Sequence, residues 1–148
     1  MLIATLKLLF ERDLKRLKSE IESYKDEKNL WRTEMDIANS AGNLCLHLIG
    51  NLNSFIGAQL GRTNYIRYRE LEFSSKDISR TELVKKIDET IAVVDKALDI
   101  LTDDQMTNEY PILVFEQKTS TEYFLVHLAT HLAYHLGQIN YHRRLLDD

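Results

Sequence analysis

Four separate stretches of this chain place apolar residues at steps of three and four, and that spacing constrains the fold more than any other feature. One row is Leu6, Leu9, Phe10, Leu14, Leu17, Ile21 and Tyr24, and a second is Leu44, His47, Leu48, Asn51 and Phe55. A third is Leu83, Ile87, Ile91, Val94, Leu98 and Leu101, and a fourth is Phe124, Leu128, His131, Leu132, His135, Ile139 and His142. At about 100° per residue each row lies along one side of a helix, with charged residues on the other side. One proline and five glycines in 148 residues are too few turn residues for a many-stranded sheet. The expected fold is therefore all-α: a four-helix bundle in a single domain spanning 1–148, long enough to bury a real core.

Helix starts are legible. Ser40 can cap the second helix, which should end near Gly61. Ser79 with Glu82, and Thr119 with Glu122, have the spacing in which each side chain satisfies a free backbone N–H at the start of the third and fourth helices. The connection from Arg62 to Ile78 is long enough to carry the chain back, so helices two and three are expected to run in the same direction. A second irregular stretch, Thr102 to Lys118, holds Ile112 to Phe115, which reads as a short extended segment lying over the bundle.

Composition narrows the functional classes. Apolar residues make up 44% and charged residues 28%, ordinary values for a soluble globular chain. The net charge of −4 argues against a general nucleic-acid binder, and Arg62, Arg67 and Arg69 form the only concentrated basic stretch. No apolar run approaches the roughly 18 residues of a membrane span. Lys7 and Glu11 interrupt the apolar start, which reads as the beginning of a helix and not as a secretory signal. Cys45, the single cysteine, has no disulfide partner, so a reducing compartment and a cytoplasmic location are expected. It sits two residues from His47, roughly 160° around the helix, and reads as a small buried hydrophobe.

The chain has five histidines, and four of them, His127, His131, His135 and His142, crowd into the fourth helix. His131 and His135 lie one turn apart on one face, so their imidazoles can share an ion. Imidazole suits zinc, nickel, copper and ferrous iron, and a catalytic site of this kind takes three protein ligands. His47, the remaining histidine, is the candidate third ligand, and the open position would be left for water or substrate. His127 is read as an outer group or a proton-transfer residue, and His142 as a capped or solvated helix-end residue. Gln138 and Asn51 lie near the histidine faces, where either can orient a ligand or a bound water. Arg67 and Arg69, with Tyr68, are candidates for holding an anionic substrate if the long connection closes over the site. Glu70 and Glu72 follow no spacing rule for a general base and are left out of the site. Gly50 and Gly57 lie on one face and would admit a neighbouring helix or a second subunit.

Three stretches carry a family resemblance: Asn39 to Leu52 around His47, Arg67 to Phe73, and His127 to Ile139, the last containing His131-x-x-x-His135-x-Gly137-Gln138. They resemble the DinB-like (YfiT-like) superfamily of metal-dependent enzymes. The resemblance implies a four-helix bundle, often a homodimer, with His47, His131 and His135 as metal ligands. It implies nickel or zinc as the ion, with ferrous iron and manganese left open, and in some relatives a low-molecular-weight thiol such as bacillithiol or mycothiol as the small-molecule substrate. Leu136 departs from the polar or basic residue common at that position, which bears on the substrate and not on the ligands. The expected function is a metal-dependent hydrolase or thiol-dependent transferase in which His127 and Gln138 assist catalysis. The alternative is a non-catalytic, dimeric, metal-binding helical bundle serving as an interaction module.

Overall fold

Each apolar row becomes a long helix in the computed structural model, which describes residues 1–148. The elements are α1 (Leu2–Glu22), a 3-10 turn (Glu27–Trp31), α2 (Ala41–Leu52) running on through a π-helical turn (Asn53–Ala58), α3 (Arg69–Ser74), α4 (Arg80–Asp99), α5 (Asp103–Thr107) and α6 (Thr121–Leu146). The protein is all-helical. Its only sheet-like pairing is an isolated antiparallel bridge between Glu109 and Ser120. No helix is long and apolar enough to cross a membrane.

The long helices pack through the rows described above. α1 lies against α4 and α6, and α2 lies against the same two helices. Lys7 pairs with Asp95 at 3.1 Å and Lys18 with Asp88 at 3.0 Å, so α1 and α4 run antiparallel. From α2 onward, Asn53 donates to Thr90 at 2.8 Å, while a Cβ on Gly57 would meet Val93 and one on Gly61 would meet Ala97. Both sequences therefore advance together, and α2 and α4 run in the same direction. One apolar cluster of 28 buried residues draws on all four long helices, so they share a core.

The local expectations meet the structure unevenly. Ser40 and Ser79 cap α2 and α4 by accepting from the N–H of Asn43 and of Glu82. The Glu82 carboxylate turns to Lys86 at 3.7 Å. The cap of α6 is Ser120 and not Thr119, its hydroxyl accepting from Tyr123 N–H at 3.1 Å. Thr119 is held extended, because its carbonyl accepts from Tyr110 N–H at 2.8 Å while Thr121 N–H donates to Asn108 at 2.8 Å. Ile112 to Phe115 forms no strand, since no neighbouring segment offers it a ladder of hydrogen bonds. The 62–78 connection is not structureless, for it contains α3. Gly61 closes the second helix without a left-handed backbone; Arg62 takes that conformation, with φ 57°. Gly61 instead allows close approach, because its Cβ would lie 2.9 Å from the Cβ of Ala97. Nor do Gly50 and Gly57 leave an open face, since side chains of Glu72 and Val93 fill the space beside them.

His142 is neither capped nor solvated. It is buried, with Nε2 donating to the carbonyl of Arg32 at 2.8 Å and Nδ1 accepting from the Tyr24 hydroxyl at 2.7 Å. Burial lowers its pKa, with the bond to Arg32 working the other way. The unfolded chain therefore takes up this proton first, and folding stability should decline as pH falls below about 6.5, down to the lower folded pKa. Urea unfolding across that range should show a flatter stability curve for His142→Gln than for the wild type. An unchanged slope would remove His142 as a contributor.

Candidate metal centre

Because α2 and α6 run antiparallel, their side chains meet in reverse order. Phe55 packs edge-on to Phe124 with ring centroids 5.2 Å apart, and eight residues earlier His47 faces His131 and His135. His131 Nε2 stands 3.2 Å from His47 Nε2 and 3.1 Å from His135 Nε2. The three potential ligand atoms all lie within 4.8 Å of one another. An ion bound tetrahedrally at about 2.0–2.1 Å holds its nitrogens about 3.3 Å apart, so these spacings fit a shared cation.

The outer nitrogens fix which atom faces inward. His47 Nδ1 lies 3.0 Å from Glu72 Oε1, and His135 Nδ1 lies 2.7 Å from Gln138 Oε1. A carboxylate or amide oxygen accepts, so each Nδ1 carries the proton and each Nε2 presents its lone pair to the centre. Burial, then the neighbouring His135 and His47, push the His131 pKa down to about 4, and burial also lowers His135. Both are neutral at neutral pH, the state a metal ligand requires.

Glu72, omitted on sequence grounds, is part of this arrangement. It is only 6% exposed, and its carboxylate accepts from Arg67 Nε and Nη2, both at 2.9 Å, as well as from His47. Burial alone would raise its pKa, but the bonds from His47 and Arg67 and the charge of Arg67 outweigh burial and hold the carboxyl below its ordinary value. Gly50 makes the space: a Cβ there would sit 1.8 Å from Glu72 Oε2. α3 thus delivers Glu72 to His47 and lays the ring of Phe73 against the same imidazole at 4.9 Å. The one sequence signal for this was Gly50, a residue without a side chain one turn from a ligand. Glu70 stays exposed.

The other candidates occupy distinct places. Arg67 is committed to Glu72 and stands over Phe55, 5.5 Å from its ring. Arg69 is exposed at the start of α3, over Phe73 at 5.1 Å. His127 is half-buried beyond His131, with ring centroids 6.2 Å apart, and is wedged against Phe115 at 4.8 Å. It lies outside the three-histidine group. Asn51 is buried beside α6, and its Oδ1 has no partner. Cys45 is fully buried, with a thiol pKa pushed up to about 12 by desolvation, and takes no part. His135 and Gln138 border a pocket of about 520 Å³ whose far wall is the loop from Asp36 to Asn39. His131 and His135 are only partly buried, so a reactant can approach the centre.

Fold and site together define an all-helical protein with a three-histidine cluster suited to one divalent cation. The chain belongs to the family described as "Protein of unknown function (DUF1572)", whose family model matches residues 3–148. A crystal structure of a conserved protein from Enterococcus faecalis has the same fold, with TM-score 0.74 and 15% identity over 97% of this chain and 95% of that one. No curated protein matches the sequence.

Proposed function

We propose that this protein is a metal-dependent enzyme of DinB-like type, a four-helix bundle with a crossover between α2 and α4 that holds one Ni2+ or Zn2+ through His47, His131 and His135. The observation that carries this reading is the convergence of three Nε2 atoms, two of them turned inward by acceptors on the opposite ring nitrogen. Three protein ligands leave a position open, as in catalytic sites, whereas structural sites are usually closed by four. A bound ion of this kind supplies Lewis acidity, lowering the pKa of a water or thiol at that position.

The chain's own residues do the rest. Glu72 and Gln138 hold the His47 and His135 rings, and Arg67 keeps Glu72 charged and in place. His127, beside His131 and reachable from outside, is the group placed to move a proton. Arg69 is the exposed guanidinium available to an anionic end of a small-molecule substrate. The pocket bordered by His135 and Gln138 gives that substrate room. The reaction class is hydrolysis or transfer of a low-molecular-weight thiol, in a cytoplasmic homodimer.

The test is a thiol titration of the cobalt or nickel form, followed by absorption spectroscopy. A sulfur-to-metal charge-transfer band that grows with thiol and saturates supports an open, thiol-accepting site. A loaded protein whose spectrum stays unchanged with thiols, and which exchanges no bound water, would leave a closed metal site in an interaction module.

A further inference from the structure

We infer that Asn51 is a positioning residue: it supplies the acceptor that orients His131 when the three histidines hold a divalent cation. This assignment rests on the metal reading above. With Nε2 given to a metal, each neutral imidazole must carry its proton on Nδ1 and donate it outward. His47 donates to Glu72 and His135 to Gln138. His131 Nδ1 is buried and bonds to nothing.

Only one unsatisfied side-chain acceptor is buried in this protein. The side-chain polar atoms buried without a partner are Trp31 Nε1, Arg80 Nε, His131 Nδ1 and Asn51 Oδ1, and the first three are all nitrogens of donor-bearing groups. Among side chains, Asn51 Oδ1 is therefore the single complement to His131 Nδ1. Trp31, in the 3-10 turn, and Arg80, at the start of α4, carry donors and cannot accept a proton from His131.

The register puts the pair in the same layer. His47, Asn51 and Phe55 follow one another at steps of four along one face of the second helix. His47 meets His131 and His135, and Phe55 meets Phe124, so the antiparallel approach places Asn51 opposite the α6 turn from His127 to His131. Asn51 is 6% exposed in a row that is apolar apart from it and His47, where an unpaired amide is unfavourable and a leucine would pack better. A donor that needs an acceptor only when the metal is present accounts for an amide in that position.

Competitive zinc titration against a chromophoric chelator, on wild type, Asn51→Leu and Asn51→Asp, tests the assignment. Asn51→Leu should bind zinc roughly 10- to 100-fold more weakly, while the melting temperature of its metal-free form stays equal or rises. Asn51→Asp, whose carboxylate is a stronger acceptor, should bind at least as tightly as the wild type. In the zinc form of the wild type, proton–nitrogen NMR of the imidazoles should show His131 Nδ1–H downfield and slowly exchanging. That readout serves even if Asn51→Leu does not fold. Wild-type affinity in Asn51→Leu, or a rapidly exchanging His131 Nδ1–H, would overturn the role of Asn51 alone. A wild type that takes up no zinc would overturn the metal reading and this role with it.

Discussion

Replacing His131 by alanine is expected to abolish stoichiometric metal uptake. His131 is the middle ligand, with its Nε2 within 3.2 Å of the corresponding atoms of both other histidines. Without it, His47 and His135 are left on different helices as two donors, fewer than a catalytic site uses. Mass spectrometry of untagged protein should find about one Ni2+ or Zn2+ per wild-type chain and almost none in His131→Ala, His47→Ala or His135→Ala. Heat should report the same difference independently. At a free metal concentration 100-fold above Kd the ligand adds about 2.7 kcal/mol, which in a domain of this size raises Tm by roughly 5–10 °C. His131→Ala should melt at one temperature with or without metal. A folded wild type that holds no metal after incubation with zinc and nickel, and whose Tm ignores both, would sink the enzyme reading and leave a helical interaction module.

The second large effect is expected from the smallest substitution, Gly50→Ala. In a helix this exchange ordinarily stabilises by about 1 kcal/mol. Here the added Cβ would fall 1.8 Å from Glu72 Oε2 and 2.6 Å from its carboxyl carbon. That carboxylate has no free direction to retreat, being tied at once to His47 and to Nε and Nη2 of Arg67. Expelling it breaks a buried ion pair, which costs about 3–5 kcal/mol, so the steric effect wins and the net loss is about 2–4 kcal/mol. His47 also loses the acceptor that fixes its proton on Nδ1, so zinc affinity should fall roughly 10- to 100-fold. Urea unfolding and chelator competition measure the two parts separately. Gly50→Ala with wild-type stability and wild-type affinity would mean that Glu72 does not hold His47 in solution.

The contrast between these two experiments marks where the sequence was informative. His131 and His135 lie one turn apart on one helix, and a pair whose geometry is set by backbone period alone can be read without a structure. His47 came from elimination and from family resemblance. Glu72 cannot be read this way, because its relation to His47 passes through α3 and a 25-residue separation, which no period encodes. His142 escapes a local reading for a similar reason: proximity to a helix end suggests solvent, but the Tyr24 hydroxyl and the Arg32 carbonyl close over it from distant segments. Thr119 lost the cap to Ser120 because a pairing with residues 108–110 decides its backbone.

By itself, the sequence determined the elements whose cause is local. Apolar residues at helical spacing, Ser40 and Ser79 at helix starts, and scarce proline and glycine are enough to specify long helices, because a helix is built from interactions within four residues of one another. Only the tertiary structure decided which side chains share a space. The parallel course of α2 and α4, the insertion of Glu72 against Gly50, and the convergence of Nε2 atoms from two helices depend on how rows on separate helices interlock. That interlocking is set by packing over the whole core, which no local pattern contains.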